Sequence, residues 1–399
     1  MISSSSTAEY ALAVVGGGVA AKAMALGAAQ AGLKVALVGA KPIPREDLQQ
    51  GWDQRVYAIS PGSQALLDQL SVWQAIPSER IGPVHQMKIA GDRGAHLDLT
   101  AYQAHVERLA SIMEQRAIEA ALDAALPFMK NLSRFESKAT GLSTDSGHAT
   151  LILGNDHGTL LSAITAQLVV GADGARSWLR DAANISSTSK PYGVTAVVAH
   201  LQTSQPHQQI AHQWFTSHGV LALLPLADPV RVSMVWSAPE ALARELLELS
   251  SAELAQRVSL LSQHTLGELS DAQAIGGYPL QLLKVEQLTS QRVALVGDAA
   301  HVVHPLAGQG LNLGLQDVRD LLAVLAEKEN WRDCGDARVL ARYTRRRAEP
   351  IKLMQLTTDG LHHLFTNPHP LAGWLRNTGM SLLDPLGPLK RMLIAHAMG

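Results

Sequence analysis

The segment richest in chemistry is Gly297-Asp298-Ala299-Ala300-His301-Val302-Val303-His304-Pro305-Leu306-Ala307-Gly308-Gln309-Gly310-Leu311-Asn312-Leu313-Gly314. It follows an apolar run of strand length at 292–296. Asp298 can bond a sugar-alcohol hydroxyl, and a glycine-rich turn opening a helix near Gly310 aims backbone N–H groups and a positive dipole end at developing negative charge. That combination suits the N1/C2-carbonyl edge of a reduced flavin. A metal centre made of Asp298, His301 and His304 is the rival reading, but Pro305 and the glycines break any single helix that would align the three. A serine hydrolase is excluded more simply, because no G-x-S-x-G occurs.

The second chemical segment is Gly16-Gly17-Gly18-Val19-Ala20-Ala21, a G-x-G-x-x-A form of the dinucleotide fingerprint between an apolar run and a helical one. Gly16 permits the tight turn, Gly18 lets backbone N–H groups approach a pyrophosphate, and Ala21 allows close packing of helix on strand. The fingerprint calls for an acid at the end of the second strand, about 20 residues on. Gly39 stands there instead. Losing that charge-assisted hydrogen bond, worth roughly 1.5–3 kcal/mol, weakens a cofactor about 10- to 150-fold. Substoichiometric cofactor is therefore expected, with Gly39→Glu raising occupancy unless Glu46 or Asp47 substitutes. Two further loops belong to the set. Arg55, in Asp53-Gln54-Arg55-Val56-Tyr57-Ala58-Ile59-Ser60, is placed to pair with a phosphate, and Asp173, in Gly171-Ala172-Asp173-Gly174-Ala175-Arg176-Ser177, follows an apolar run at 167–170.

Positioning these loops requires particular elements. The runs at 11–15 and 34–38 read as buried strands joined by a helix over 19–31 that Gly32 closes, a βαβ unit. With the strands at 167–170 and 292–296, each followed by a Gly/Asp turn, they predict a doubly wound parallel sheet with ligand at its carboxyl end. The periodicity of 102–126, free of Pro and Gly, predicts one long helix. Runs at 195–202, 212–215, 219–224 and 230–236 alternate or carry aromatics between Gly, Pro and Asp turns, which predicts a second, mainly antiparallel sheet. A helix is expected over 240–262 and a returning strand over 275–285.

Composition bounds the rest. A chain of 399 residues with 47% hydrophobic and 17% charged residues is long enough for two cores and too apolar for disorder. A net charge of −2 leaves no polycationic face for nucleic acid. Charge is nevertheless uneven: nine Lys/Arg face three Asp/Glu from Arg338 onward, against 24 and 32 before it. This basic, Leu-rich tail suits either a helical cap with Arg345, Arg346 and Arg347 solvated, or contact with an anionic membrane surface. The single cysteine, Cys334, fits a reducing compartment. The apolar stretch 10–40 lacks a basic flank and is interrupted by Gly16–18, Lys22 and Lys34, so no membrane span or signal peptide is expected.

Together, the four loops in this order resemble the aromatic-ring hydroxylase class of flavoprotein monooxygenases. Within it the chain is most similar to the ubiquinone-biosynthesis hydroxylase family, through GDAAHVVHPLAGQGLNLGLQDV, HQWFTSHGVLALLPLADPVRVSMVW at 212–236 and YTRRRAEPIKLMQLTTDGLHHLFTN at 343–367. The resemblance covers essentially the whole chain. It implies an α/β fold like that of para-hydroxybenzoate hydroxylase: a Rossmann-like FAD-binding domain (1–75, 99–185 and 285–345), interrupted by an antiparallel substrate domain (76–98 and 186–284), with a C-terminal helical segment over 346–399. It also implies residue roles. Gly16, Gly18 and Ala21 would hold the FAD pyrophosphate, Arg55 would contact the cofactor, and Asp173 would sit in a motif shared by FAD and pyridine-nucleotide contacts. Asp298 would bind the ribityl chain, while Pro305, Gly308, Gly310, Leu311 and Asn312 would line the isoalloxazine. The implied reaction reduces FAD with transiently bound NAD(P)H or another donor, captures O₂ as a flavin hydroperoxide and transfers one oxygen to a polyprenylated phenol. A cytoplasmic location peripheral to the inner membrane, within a biosynthetic assembly, follows from the same resemblance. The alternatives are a non-catalytic subunit that keeps the fold, or a hydroxylase of an unrelated soluble aromatic. Spacing singles out no catalytic base among His200, His212 and Tyr192.

Overall fold

The expected βαβ unit opens the fold: strand Glu9–Val15, helix Val19–Gln30 and strand Val35–Val38. The helix is Ala-rich and buried on nearly all sides, because it is wedged between the sheet and two further helices. Gly27 belongs to that packing: a β-carbon there would lie 2.5 Å from Leu322 of helix Gln309–Ala326. The computed structural model describes residues 9–39, 41–42, 51–91, 94–155, 160–303 and 309–366.

Five strands run parallel in the order Val293–Leu295, Leu160–Gly171, Glu9–Val15, Val35–Val38, Leu132–Phe135. Their carboxyl ends carry the loops after Val15, Gly171 and Leu295, so the three chemical segments meet at one edge although they are far apart in sequence. A long hairpin, Lys138–Thr144 and Ala149–Gly154, extends strand Leu160–Gly171 antiparallel. The second sheet also has eight strands, ordered His301–Val302, Leu269–Val285, Ser187–Thr203, Arg231–Pro239, Gly219–Pro225, Ile210–Thr216, Gln86–Ala90, His96–Thr100. All its pairings are antiparallel except Ile210–Thr216 with Gln86–Ala90. One face packs Val197, Leu221, Met234 and Trp236 against Leu246, Leu254 and Val258 of two helices. A three-stranded sheet of Val56–Ile59, Ala110–Glu114 and Gly82–Val84 lies against the opposite face through Val84, Ile112, Ala211 and Leu226.

Two helical expectations are corrected. The stretch 102–126 is a short helix Ala101–Ala104, strand Ala110–Glu114 and helix Gln115–Ala125. His105 in the left-handed region (φ 56) ends the first helix, and pairing on both sides of 110–114 with buried Ser111–Glu114 outweighs helical periodicity. The stretch 240–262 is likewise two helices, Glu240–Glu248 and Ser251–Leu261. Ser250 and Glu253 form a capping box at the break, a signal legible in the sequence as S-x-x-E.

The C-terminal helix Ala337–Thr366 packs on the body through Val339, Leu340 and Tyr343, and one of the three arginines expected to be solvated is not. Arg347 is not solvated; it is 1% exposed and paired with Asp317 and Asp320. Among the described residues no helix is long and apolar enough to cross a membrane.

Candidate functional site: a cofactor recess at the sheet edge

Gly16 closes strand Glu9–Val15 at φ +140, and a β-carbon on it would lie 2.2 Å from the carbonyl oxygen of Ala172. Only glycine lets these two strand ends approach so closely. Gly18 differs. Its φ is −86 and the nearest atom to its would-be β-carbon is Oε1 of Glu119 at 4.0 Å, so this face of the turn is open. It caps helix Val19–Gln30 without a side-chain hydrogen bond, which leaves the first-turn N–H groups available to an anion. Ala21 is fully buried against the core.

Asp173 holds its own loop together. Its Oδ1 accepts from Ser177 Oγ at 2.5 Å and its Oδ2 from the Leu179 N–H at 3.0 Å. Both oxygens thus fix the turn that packs on Gly16. Arg180, which sequence reasoning missed, ties this loop to the next one by donating to the carbonyls of Ala175 and Ala299 at 3.1 and 3.2 Å.

The Asp53 loop is clamped across its peptide unit. Glu114 accepts the Asp53 N–H at 2.5 Å, and His200 Nε2 lies 2.7 Å from the Asp53 carbonyl oxygen. Gln54 donates to the Ile275 carbonyl and accepts from Tyr278 Oη, both at 3.0 Å. Arg55, on the exposed side, stacks its guanidinium 4.7 Å from the Tyr278 ring centroid. Tyr57 donates to Gln115, and Gln115 in turn donates to Glu119 at 2.7 Å. Burial, with Asp298 and Glu119 nearby, pushes the Tyr57 hydroxyl up to about 12 against the pull of Arg55. A cleft of about 410 Å³ is lined by Trp52, Asp53, Gln54, Gln115, Arg116 and Glu119.

Asp298 projects from the turn Gly297–Ala299. Its carboxyl is open to solvent on its outer side but surrounded by protein otherwise, and this desolvation raises its pKa while His301 and Arg55 oppose the rise. Beneath it, Asp317 is completely buried. Burial alone would raise its pKa, but His301, Arg347 and the Gly297 N–H outweigh that and hold it below the usual carboxylate range. Asn312 cross-links the helix Gln309–Ala326 to the Arg55 strand: its Nδ2 donates to Ala58 and its Oδ1 accepts from the Ser60 N–H. Gly310 and Leu311 lie in the first turn of that helix, with no atom within 4 Å of a β-carbon at Gly310. Pro305 and Gly308, with His304 of the rival metal reading, lie outside the described residues, as do Glu46 and Asp47.

Gly39 adopts φ +86 at the end of its strand. A glutamate there would be strained by about 1–3 kcal/mol, comparable to what its hydrogen bond would contribute, so the expected benefit of Gly39→Glu largely cancels. The three groups left open as bases are occupied elsewhere. His200 is buried under the Asp53 loop, His212 stacks on Trp214 at 5.6 Å toward the helix-covered face, and Tyr192 bonds Asp359. Lys22 was not foreseen as chemically significant. It is fully buried and paired with Glu119 and Asp123 at 3.0 and 2.8 Å, so it neutralises the carboxylate nearest Gly18. Its signal was a charge inside an otherwise apolar helix.

An uncapped helix start beside an open glycine face and an exposed arginine offer donors to a diphosphate, and the Asp298 carboxylate offers an acceptor to the hydroxyls of a polyol. FAD fits this set. Residues 9–356 match the family described as FAD binding domain. The chain belongs to this family. Among its relatives, 3-demethoxyubiquinol 3-hydroxylase of Escherichia coli (strain K12) is 33% identical over 97% of this chain and 98% of its own. Ubiquinone hydroxylase UbiL of Rhodospirillum rubrum is 32% identical over 97% and 89%. The mitochondrial ubiquinone biosynthesis monooxygenase COQ6 of Mus musculus is 30% identical over 99% and 92%. The fold matches p-nitrophenol 4-monooxygenase PnpA of Pseudomonas putida DLL-E4 with a TM-score of 0.77 at 17% identity, covering 99% of each chain. PqsL of Pseudomonas aeruginosa, described as a probable FAD-dependent monooxygenase, gives 0.75 at 19% identity, over 94% of this chain and 99% of its own. Family and relatives agree on an FAD-dependent hydroxylase, and the fold is compatible with it.

Proposed function

We propose that the protein hydroxylates the aromatic ring of a polyprenylated phenol on the route to ubiquinone. What supports this reading is the placement of the Gly16–Gly18 turn and Asp298 at the same end of the parallel sheet, with Arg55 close enough to act on the Asp298 carboxyl, in a chain aligned over nearly its whole length with ubiquinone hydroxylases. Bound FAD supplies reducing equivalents and oxygen activation. The overall balance is phenol, O₂, NAD(P)H and a proton giving the hydroxylated phenol, water and NAD(P)⁺. Gly18 and the start of helix Val19–Gln30 hold the pyrophosphate, with Gly16 and Ala21 shaping the approach. Arg55 adds a positive charge, and Asp298 accepts from hydroxyls of the ribityl chain. Gly310 and Leu311 line the isoalloxazine side, Pro305 and Gly308 are assigned to it by the family resemblance alone, and Asn312 ties it to Ala58 and Ser60.

The parallel sheet forms the cofactor-holding unit and the antiparallel sheet covers the substrate. Strand alternation and register leave Val198, Phe215, Val220 and Ala222 on the face away from the two helices, an apolar wall suited to an aromatic ring and an isoprenoid tail. Excluding water there favours oxygen transfer over release of H₂O₂. Among the described residues the strand end at Gly39 offers no acid for the adenosine ribose, which supports FAD being held loosely. The basic C-terminal region provides peripheral contact with anionic lipid where the substrate resides.

Purified protein is expected to be yellow with less than one FAD per chain, to take up O₂ with NAD(P)H faster when an apolar phenol is added, and to restore ubiquinone synthesis in a deletion strain that accumulates a phenolic intermediate. Colourless protein that still restores synthesis would sink the enzymatic reading in favour of a non-catalytic subunit. Turnover of soluble phenols without rescue would overturn the substrate assignment.

A further inference from the structure

The buried carboxylate of Asp317 collects three partners from two parts of the chain, the 297–301 segment and the C-terminal helix. Its Oδ2 accepts from the Gly297 N–H at 2.8 Å and meets His301 Nε2 at 2.7 Å, while its Oδ1 accepts from Arg347 Nε at 2.6 Å. The remaining Arg347 N–H groups reach Asp320 Oδ2 at 3.0 Å, the Leu313 carbonyl at 3.3 Å and Gln316 Oε1 at 3.4 Å. Four residues earlier on the C-terminal helix, Tyr343 donates to the Leu295 carbonyl at 2.8 Å. That helix therefore grips both the end of strand Val293–Leu295 and the carboxylate bonded to the peptide just ahead of Asp298. The turn itself has little slack: Gly297 is at φ +62, and a β-carbon on Gly314 would stand 3.0 Å from its Cα.

We propose that Arg347, acting through Asp317, is a positioning residue of the FAD site, holding the Gly297–Ala299 turn so that Asp298 faces the cofactor. A buried carboxylate keeps its charge, and its capacity to accept from both Gly297 and His301, only while a counter-charge is beside it. Removing Arg347 drives Asp317 to take a proton or recruit water, and either change alters the hydrogen bond to Gly297. The C-terminal helix is on this account a working part of the cofactor site, although Arg347 itself hydrogen-bonds none of the described residues assigned to FAD. The inference rests on the FAD reading above.

The test titrates FAD into apoprotein, following flavin fluorescence and the visible absorbance envelope, with the thermal midpoint of each apo form measured alongside. Arg347→Met and Asp317→Asn are expected to raise the FAD Kd tenfold or more and to change the envelope, and Arg347→Lys to raise the Kd about threefold. Val258→Ala, in the helix Ser251–Leu261 far from the recess, serves as the stability control and is expected to bind FAD like wild type. Folded Arg347→Met that binds within twofold of wild type overturns the proposal. So does a Val258→Ala protein that loses FAD affinity in proportion to its own loss of stability. If Arg347→Met does not fold, Arg347→Lys decides, and wild-type affinity in that variant overturns the proposal. Wild-type protein that binds no FAD would instead overturn the proposed function.

Discussion

The two fingerprint glycines are required for different reasons, and that difference is testable. A methyl group on Gly16 would press on the backbone carbonyl of Ala172, which cannot rotate away, at a φ of +140 that side chains rarely adopt. A methyl group on Gly18 meets only the tip of Glu119 at 4.0 Å and sits at an ordinary φ. Gly16→Ala is accordingly expected to lower stability by about 3 kcal/mol or more, or to give insoluble protein. Gly18→Ala is expected to leave the apo thermal midpoint unchanged while raising the FAD Kd about tenfold, since the methyl group occupies the face that backbone N–H groups offer to a phosphate. Thermal melts and FAD titration of the two variants separate these effects, and a Gly18→Ala protein with wild-type affinity would remove Gly18 from the cofactor site. Legibility at this scale was mixed. Glycine spacing points to the turn, but only the folded chain shows that Asp173 spends both carboxylate oxygens on its own loop, or that Lys22 neutralises Glu119 beside Gly18.

Elements that pair locally were readable, and those decided by distant partners were not. The βαβ unit follows from short apolar runs around one helix. The strand Ala110–Glu114 does not, because its partners Val56–Ile59 and Gly82–Val84 lie far away in sequence and its own residues also fit a helical period. The second sheet carries an acid sensitivity of its own. His212 is 7% exposed, and burial, with Lys88 adding repulsion, lowers its pKa from 6.5 to about 4. His200 and His207 shift the same way through burial. A histidine kept neutral in the folded state contributes stability that is fully present above pH 6.5 and is lost as pH falls toward 4, because the unfolded chain then binds the proton more readily. His212 alone accounts for a loss of up to about 3 kcal/mol over that window. Thermal melts from pH 7 to 4 are expected to show the midpoint falling, with His212→Gln flattening the profile; a profile identical to wild type would reject His212 as its source.

At the scale of the whole molecule, the C-terminal helix joins parts that the sequence left separate. Val339, Leu340 and Tyr343 complete the core of the parallel-sheet unit, while Arg347 neutralises Asp317 and Asp320 within it. A chain ending at Asp336 is expected to lose the roughly 3–5 kcal/mol associated with breaking a buried ion pair, in addition to that apolar packing. Such a chain should aggregate or elute without flavin on gel filtration, and a soluble, yellow truncation would show that the helix is dispensable. The charge arithmetic of the sequence had marked this region as a basic appendage, since nothing in a linear count reveals that one arginine of three is inside.

The sequence by itself determined the cofactor class and the architecture, because fingerprint glycines, Gly/Asp turns after buried strands and the long GDAAH segment report local backbone requirements that any fold of this kind must meet. The tertiary structure alone decided which charges are compensated and by what: Lys22 with Glu119 and Asp123, and Asp317 between Gly297, His301 and Arg347. The physical reason is that burial and pairing belong to groups brought together from tens to hundreds of residues apart, and no local pattern encodes which partner each will meet.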